Sequence, residues 1–243
     1  MKIRFLGNWS SHIKAGVRNS SILIDDKIVF DFGPHSLESL LEMSVDPAKI
    51  EWVLISHMHL DHYAGLPELL WYRGSRKIKE PLLIMGPVGI RSNTESLLRI
   101  FNTPQDDHYE INVNYRERRE TDFIEAFNGN HTIPDNVYRL DYKGRILTYT
   151  GDTAYSEEVV KASEKADILF HEMTYLDNEA GLAEHWKHST FSSALRTFRE
   201  STSKKMIPVH LTEGTMEMAH THLNREPGLI MSNVTIELST TTP

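Results

Sequence analysis

Three imidazoles and a carboxylate crowd the short turn Ser56-His57-Met58-His59-Leu60-Asp61-His62, directly after the apolar run Trp52-Val53-Leu54-Ile55. A chain with this segment must end a buried strand in a cluster of electron-pair donors. Each polar group left unpaired in an interior costs on the order of 1–3 kcal/mol. One such histidine can be satisfied by ordinary core hydrogen bonds, but four donors in one turn call for a common partner. A cation is the simplest one. Imidazole nitrogen and carboxylate oxygen suit zinc or a similar transition metal. The absence of cysteine excludes every thiolate site and every disulfide.

The other segments fall around this turn. Lys2-Ile3-Arg4-Phe5-Leu6 alternates and stops at Gly7, as a half-exposed strand does, and Asn8 to Arg18 reads as polar loop. Ser21 to Ile24 and Lys27 to Phe30 read as a hairpin turning at Asp25-Asp26, whose second strand delivers Asp31 to a strand end. Asp31 is there either to back a metal ligand or to form the turn, and the sequence leaves both open. Leu37, Leu40, Leu41 and Met43 have helical spacing and read as core. Leu66-Pro67-Glu68-Leu69-Leu70 opens a helix, with Arg73, Arg76, Lys77 and Lys79 expected on a solvated loop beyond it.

Pro81 to Met85 reads as a buried strand and Ile90 to Phe101 as an amphipathic helix. Arg116, Arg118 and Arg119 are balanced by Glu117 and Glu120. Phe123 to Phe127 leads to His131, and two strands turning over Asp141-Tyr142-Lys143-Gly144 lead to Asp152. A helix from Glu157 to Lys165 precedes the strand Asp167 to Phe170, which ends in His171-Glu172-Met173-Thr174. His188-Ser189-Thr190 opens a further helix, and Lys205 to Val209 is a core strand ending in His210. Beyond Leu211 the pattern weakens, apart from a strand over Val234 to Leu238. Strands alternate with helices, the mark of a layered α/β fold, with no repeat or linker to suggest a second domain.

At 243 residues and 40% hydrophobic composition the chain can bury one full core. Its formal charge of -8 gives no general grip on a polyanion, so a nucleic acid would have to be held by local basic patches or by the metal site. No window approaches the ~20 apolar residues of a membrane span, and the N-terminus has no signal-peptide core. The expectation is a soluble cytoplasmic protein with no membrane partner.

His57, His59, Asp61, His62, His131, Asp152 and His210 all follow apolar strands or lie on the turn after one. Seven ligands exceed what one tetrahedral zinc accepts. The spacing suggests His57, His59 and His131 on one ion, Asp61, His62 and His210 on a second, and Asp152 bridging. Two cations roughly 3.5–4 Å apart would share a water, lower its pKa and clamp the oxygens of a displacement. That chemistry is hydrolysis. His12, His35, His108, His220 and His222 lie in polar contexts and read as surface residues, although His220 and His222 could hold an adventitious metal.

The pattern His57-Met58-His59-Leu60-Asp61-His62, then His131, Asp152 and His210, resembles the metallo-β-lactamase superfamily. Phe5-Leu6-Gly7, Arg18-Asn19-Ser20-Ser21, Asp31-Phe32-Gly33, Gly65-Leu66-Pro67, Gly86-Pro87-Val88-Gly89, Gly151-Asp152-Thr153, His171-Glu172-Met173-Thr174 and His188-Ser189-Thr190 narrow the resemblance to its ribonuclease Z branch, endonucleases that mature tRNA 3′ ends. The resemblance covers Met1 to about His210. It implies a single-domain, four-layer αββα sandwich and two Zn2+ ions, with Mn2+ or Fe2+ as substitutes. It also implies a homodimer and a phosphodiester substrate attacked by a metal-bridging hydroxide. Asp61, Glu172 and His188 are the implied catalytic residues, the last two serving protonation of the leaving group.

The chain departs from the branch in two places. Only a short hairpin separates His131 from Asp152, where the branch commonly carries a long tRNA-gripping arm. Leu211-Thr212-Glu213-Gly214-Thr215 also lacks the aromatic and basic residues usual there. Precursor tRNA and small or cyclic nucleotide phosphodiesters both stand as substrates, with thioester or lactam hydrolysis and a non-catalytic binding module as further classes.

Overall fold

Ile3 and Phe5 are buried on one side of Lys2–Gly7, the first strand β1, as its alternation requires. In chain order there follow β2 (Ser21–Ile24), β3 (Ile28–Phe30), α1 (Ser36–Glu42), β4 (Trp52–Leu54), α2 (Leu60–Tyr63), α3 (Leu66–Ser75), β5 (Leu82–Met85), α4 (Ile90–Ile100) and β6 (Val113–Arg116). Then come β7 (Ile124–Asn128), β8 (Asn136–Tyr142), β9 (Arg145–Tyr149), α5 (Glu157–Ala162) and β10 (Ile168–Glu172). The last are α6 (Ala180–Trp186), α7 (Phe191–Glu200), β11 (Met206–Val209), α8 (Glu213–His222) and β12 (Thr235–Glu237). The structure is a computed structural model that describes residues 1–104, 106, 109–117, 121–232 and 235–238. His108, Arg118, Arg119, Glu120 and Val234 lie outside the described residues.

Two compact units divide the chain. The first comprises Met1–Gly7, Arg18–Glu117 and Val234–Pro243, and the second Asn8–Val17 and Arg118–Asn233.

The first unit is built on a seven-stranded sheet in the order β12-β1-β2-β3-β4-β5-β6. Its β12-β1-β2-β3 half is antiparallel, and β3, β4, β5 and β6 run parallel. Phe30 pairs with Leu54 and Leu54 with Met85, so β3, β4 and β5 finish side by side. Ligand-carrying loops of parallel strands belong at these carboxyl ends, and here they hold Asp31 and the Ser56 to His62 turn. Leu23, Val29, Val53, Ile55, Leu66, Leu69, Leu70 and Ile84 form the core beneath, all of them fully buried. Gly33 and Gly65 let the Asp31 and His62 loops touch. A Cβ on Gly65 would fall 2.1 Å from the Gly33 carbonyl oxygen, and one on Gly33 would fall 1.9 Å from that of Asp61.

The second unit holds a five-stranded sheet ordered β11-β10-β9-β8-β7, in which β9, β10 and β11 are parallel. Phe170 pairs with Tyr149 and Glu172 with Val209, so Asp152, Glu172 and His210 all leave the same edge of this sheet. Helix α7 buries Phe191, Ala194, Leu195 and Phe198 at helical spacing against Leu169, Met173 and Met206. Thr190 caps α7, its side chain accepting from the Ser193 N–H.

Several expectations from the sequence need correction. Arg73 is not on a solvated loop: it lies in α3, 1% exposed, and donates to the carbonyls of Pro47 and Glu80. Its alkyl stem is long enough for the helix to bury it while the fork finds backbone acceptors, and burial pushes the guanidinium pKa down. It cannot serve as a phosphate contact. Leu41 is exposed rather than core, because it sits on the outer side of α1. Helices α4 and α5 stop at Ile100 and Ala162, short of Phe101 and Lys165. Asp141 and Tyr142 continue β8, and the hairpin turns on Lys143 and Gly144 alone, both at positive φ as a tight two-residue turn demands.

Arg73→Ala would leave the buried Pro47 carbonyl unpaired. The expected cost is about 2–3 kcal/mol, read as a lowered urea midpoint at unchanged m value. An unchanged midpoint would mean that the guanidinium bonds contribute nothing to stability.

Candidate metal centre

In the first unit the site begins at Asp31, which is fully buried and held in the left-handed region at φ 53°. Its Oδ1 accepts from the Ser56 N–H at 2.7 Å, and its Oδ2 accepts from Ser56 Oγ at 2.8 Å. Oδ2 also lies 2.7 Å from His62 Nδ1. A carboxylate only accepts, so His62 carries its proton on Nδ1 and Nε2 becomes the lone-pair nitrogen, the tautomer a metal ligand needs. Asp31 therefore holds the His62 imidazole and is not merely a turn former. His62 Nε2 lies 3.6 Å from Asp61 Oδ2, and the His57 and His62 ring centroids are 4.2 Å apart. His57 Nε2 and His59 Nδ1 approach to 3.0 Å. The first unit thus gathers His57, His59, Asp61 and His62 around one short helix start.

The second unit brings together His131, Asp152, Glu172, His188 and His210. His131 Nδ1 is 3.0 Å from the Lys187 carbonyl, which fixes the proton on Nδ1. Lys187 reaches it from a left-handed conformation at the end of α6. Asp152 follows Gly151, whose positive φ lets the chain turn at the sheet edge. Asp152 Oδ2 lies 3.3 Å from His210 Nε2 and 3.8 Å from His188 Nδ1. His188 and His210 stack with centroids 5.5 Å apart. The donor atoms of His131, Asp152 and His188 lie within 4.8 Å of one another, as do those of Glu172, His188 and His210.

Glu172 is fully buried and saturated with donors. Its Oε1 accepts from the N–H groups of Thr153 and Ser189, each at 3.0 Å, and meets His188 Nδ1 at 2.8 Å. Its Oε2 accepts from the Thr174 N–H at 3.1 Å and from the Thr174 hydroxyl at 2.6 Å. Burial pushes the carboxyl pKa up, but the His188 charge and hydrogen bond more than reverse this, leaving the group below the ordinary Glu value. The carboxylate ties the Asp152 loop, the end of β10 and the His188 loop into one piece.

Neighbouring His171 is buried, donates Nδ1–H to the Glu172 carbonyl at 2.7 Å, and is held neutral by burial, which pushes its pKa down. His12, His35 and His220 are exposed, and His222 packs on Phe191 with Nδ1 on the Met218 carbonyl. Two groups at this site were given no role by the sequence. The Thr174 hydroxyl meets both Glu172 and His210, and the Tyr175 ring lies 5.8 Å from that of His188. Thr174 closes the His171-Glu172-Met173-Thr174 motif and Tyr175 comes next, which is the only signal they carry.

Residues 26–211 match the family model described as beta-lactamase superfamily domain, more than half of the chain. The chain belongs to this superfamily. Within the superfamily it is similar to the ribonuclease Z of Bacillus licheniformis, 29% identical over a 273-position alignment that covers 87% of this chain and 88% of the relative. The ribonuclease Z of Anoxybacillus flavithermus is 27% identical, covering 97% of this chain and 95% of the relative. The crystal structure of the short form of human tRNase Z superposes with a TM-score of 0.79 at 22% identity, covering 98% of this chain and 100% of that one. The α/β metallo-β-lactamase fold, two sheets carrying helices, is the one expected, and the superfamily member is a ribonuclease Z-like, metal-dependent hydrolase. No helix among the described residues is long and apolar enough to cross a membrane.

Proposed function

We propose that this chain is a two-metal phosphodiesterase of the ribonuclease Z type, cutting the 3′ end of precursor tRNA. The observation that carries the reading is the 2.8 Å contact between His188 Nδ1 and the buried Glu172 carboxylate. A ribose alkoxide is a poor leaving group and needs a proton, whereas a thiolate departs without one. With Nδ1–H fixed on Glu172, the imidazolium of His188 presents its second proton on Nε2, where it can pass to the departing oxygen. Glu172 accepts from five donors and has no proton to give. It orients His188 and stabilises its positive charge.

The donor chemistry fits divalent cations, because the protein's own acceptors hold Nδ1 of His62 and His131 and leave Nε2 as the ligating atom. His57, His59 and His131 would hold one ion, Asp61, His62 and His210 the other, and Asp152 both. Zinc is the first choice for such nitrogen and oxygen donors, with Mn2+ or Fe2+ next. When bound, the pair supplies Lewis acidity toward the phosphoryl oxygens and acidifies a water, the role assigned to Asp61 and Asp152 being to share that charge. The same family reading makes the working form a cytoplasmic homodimer whose second protomer lends substrate-binding surface.

A second reading is a phosphodiesterase of small or cyclic nucleotides. It is favoured by the two-residue turn that closes β8 and β9, and by the burial of Arg73, which removes one cation from any tRNA-binding loop. The 273-position alignment with the B. licheniformis enzyme also exceeds the 243 residues of this chain, so that relative carries insertions absent here. Arg76, Lys77, Lys79 and Arg116 remain exposed and available to a polyanion.

A side-by-side panel on zinc-loaded protein separates these readings. Precursor tRNA is expected to be cleaved at its 3′ side. Turnover of bis(p-nitrophenyl) phosphate and cyclic nucleotides with none of tRNA would select the second reading. Turnover of thioesters or lactams alone would overturn both.

A further inference from the structure

The hydroxyl of Thr174 sits between the Glu172 carboxylate, 2.6 Å from Oε2, and the imidazole of His210, 2.8 Å from Nδ1. A threonine hydroxyl has one proton and two lone pairs. Five donors converge on Glu172, so it is an acceptor, and the one Thr174 proton is directed to it. Thr174 Oγ1 must then accept from His210, which requires the His210 proton on Nδ1 and the lone pair on Nε2.

The first unit contains the same arrangement built from different residues. Ser56 Oγ donates to Asp31 Oδ2 at 2.8 Å and lies 3.0 Å from His57 Nδ1. By the same count His57 carries its proton on Nδ1. In each unit one buried carboxylate therefore faces two histidines, touching one directly and the other through a hydroxyl. Asp31 serves His62 and His57, and Glu172 serves His188 and His210.

We infer that Ser56 and Thr174 are positioning residues, hydroxyl relays that lock His57 and His210 in the Nε2-ligating tautomer before any metal arrives. A neutral imidazole in water exchanges between two tautomers. A site that has already chosen one binds a cation without that rearrangement, and groups standing behind ligands in this way are worth about 10–100-fold in metal affinity. The hydroxyl is the operative feature. Valine has the shape of threonine without the relay, and serine keeps the relay without the methyl.

The inference rests on the metal reading above, yet its first test needs no metal. In long-range 1H–15N spectra of the metal-free protein, His57 and His210 are expected to show a protonated Nδ1 and a lone-pair Nε2. Thr174→Val should mix the two forms at His210 alone, Ser56→Ala should do so at His57 alone, and Thr174→Ser should leave His210 as it was. Chelator competition should then give zinc binding about 10–100-fold weaker in T174V and S56A, with T174S restored to the level of the unchanged protein.

A fixed His210 tautomer in T174V with undiminished zinc affinity would overturn the inference. So would a T174S variant as weak as T174V, since the methyl packing would then be the cause. Should T174V fail to fold, S56A carries the same test on His57. If the unchanged protein binds no zinc, the metal reading falls while the tautomer result stands on its own.

Discussion

Replacing His188 with alanine is expected to lower turnover of a ribose phosphodiester by roughly 10²–10⁴-fold, the usual worth of a general acid, with metal content unchanged. The reason lies in how the imidazole is held. Nδ1 is fixed 2.8 Å from Glu172, and the Ser189 N–H on the same carboxylate oxygen locks the loop that carries it. A proton at Nε2 would then be aimed by the fold and not by the substrate. The loss should depend on the leaving group: p-nitrophenolate departs without a proton, so bis(p-nitrophenyl) phosphate should suffer far less than RNA. Equal losses on both substrates would remove His188 from the protonation step. Loss of metal from the variant would instead make it a ligand, as its grouping with His131 and Asp152 would allow.

Asp152→Ala is expected to empty at least one metal position and with it nearly all turnover. This buried carboxylate lies 3.3 Å from His210 Nε2, and a cation held by both would lose a ligand in the variant. Inductively coupled plasma mass spectrometry of protein passed through a desalting column reads the result directly. Full occupancy and normal turnover would take Asp152 out of the proposed bridge.

The donor turn from Ser56 to His62 was legible because metal ligands need particular atoms in close succession, and strand ends are where parallel sheets present them. The same expectation pointed to His131, Asp152 and His210, whereas Glu172 and His188 were implied by the resemblance to the ribonuclease Z branch. Asp31 was visible as a residue but not as a role, since only the tertiary contact with His62 separates a backing carboxylate from a turn former. Ser56 and Thr174 carried less signal still. A hydroxyl has no spacing rule and no charge, and it acquires a function here only because a carboxylate sits on one side and an imidazole on the other.

Arg73 and α8 failed for opposite reasons. A long cationic side chain in sequence looks solvated, and nothing local reveals that two backbone carbonyls await its guanidinium. Helix α8 mixes Glu213, Glu217 and two histidines with Met216 and Met218, a weak apolar stripe that forms against the Phe191 to Phe198 side of α7. Its start was signalled by Thr212, whose side chain accepts from the Thr215 N–H. Propensity alone does not decide such a segment, and tertiary packing does.

The proposed function needs a pair of cations on each chain. The direct measurement is the stoichiometry and electron paramagnetic resonance spectrum of Mn2+-loaded protein. Two ions per chain with an exchange-coupled spectrum, as expected for ions roughly 3.5–4 Å apart, would support the account. One ion per chain, or two that are magnetically independent, would contradict it.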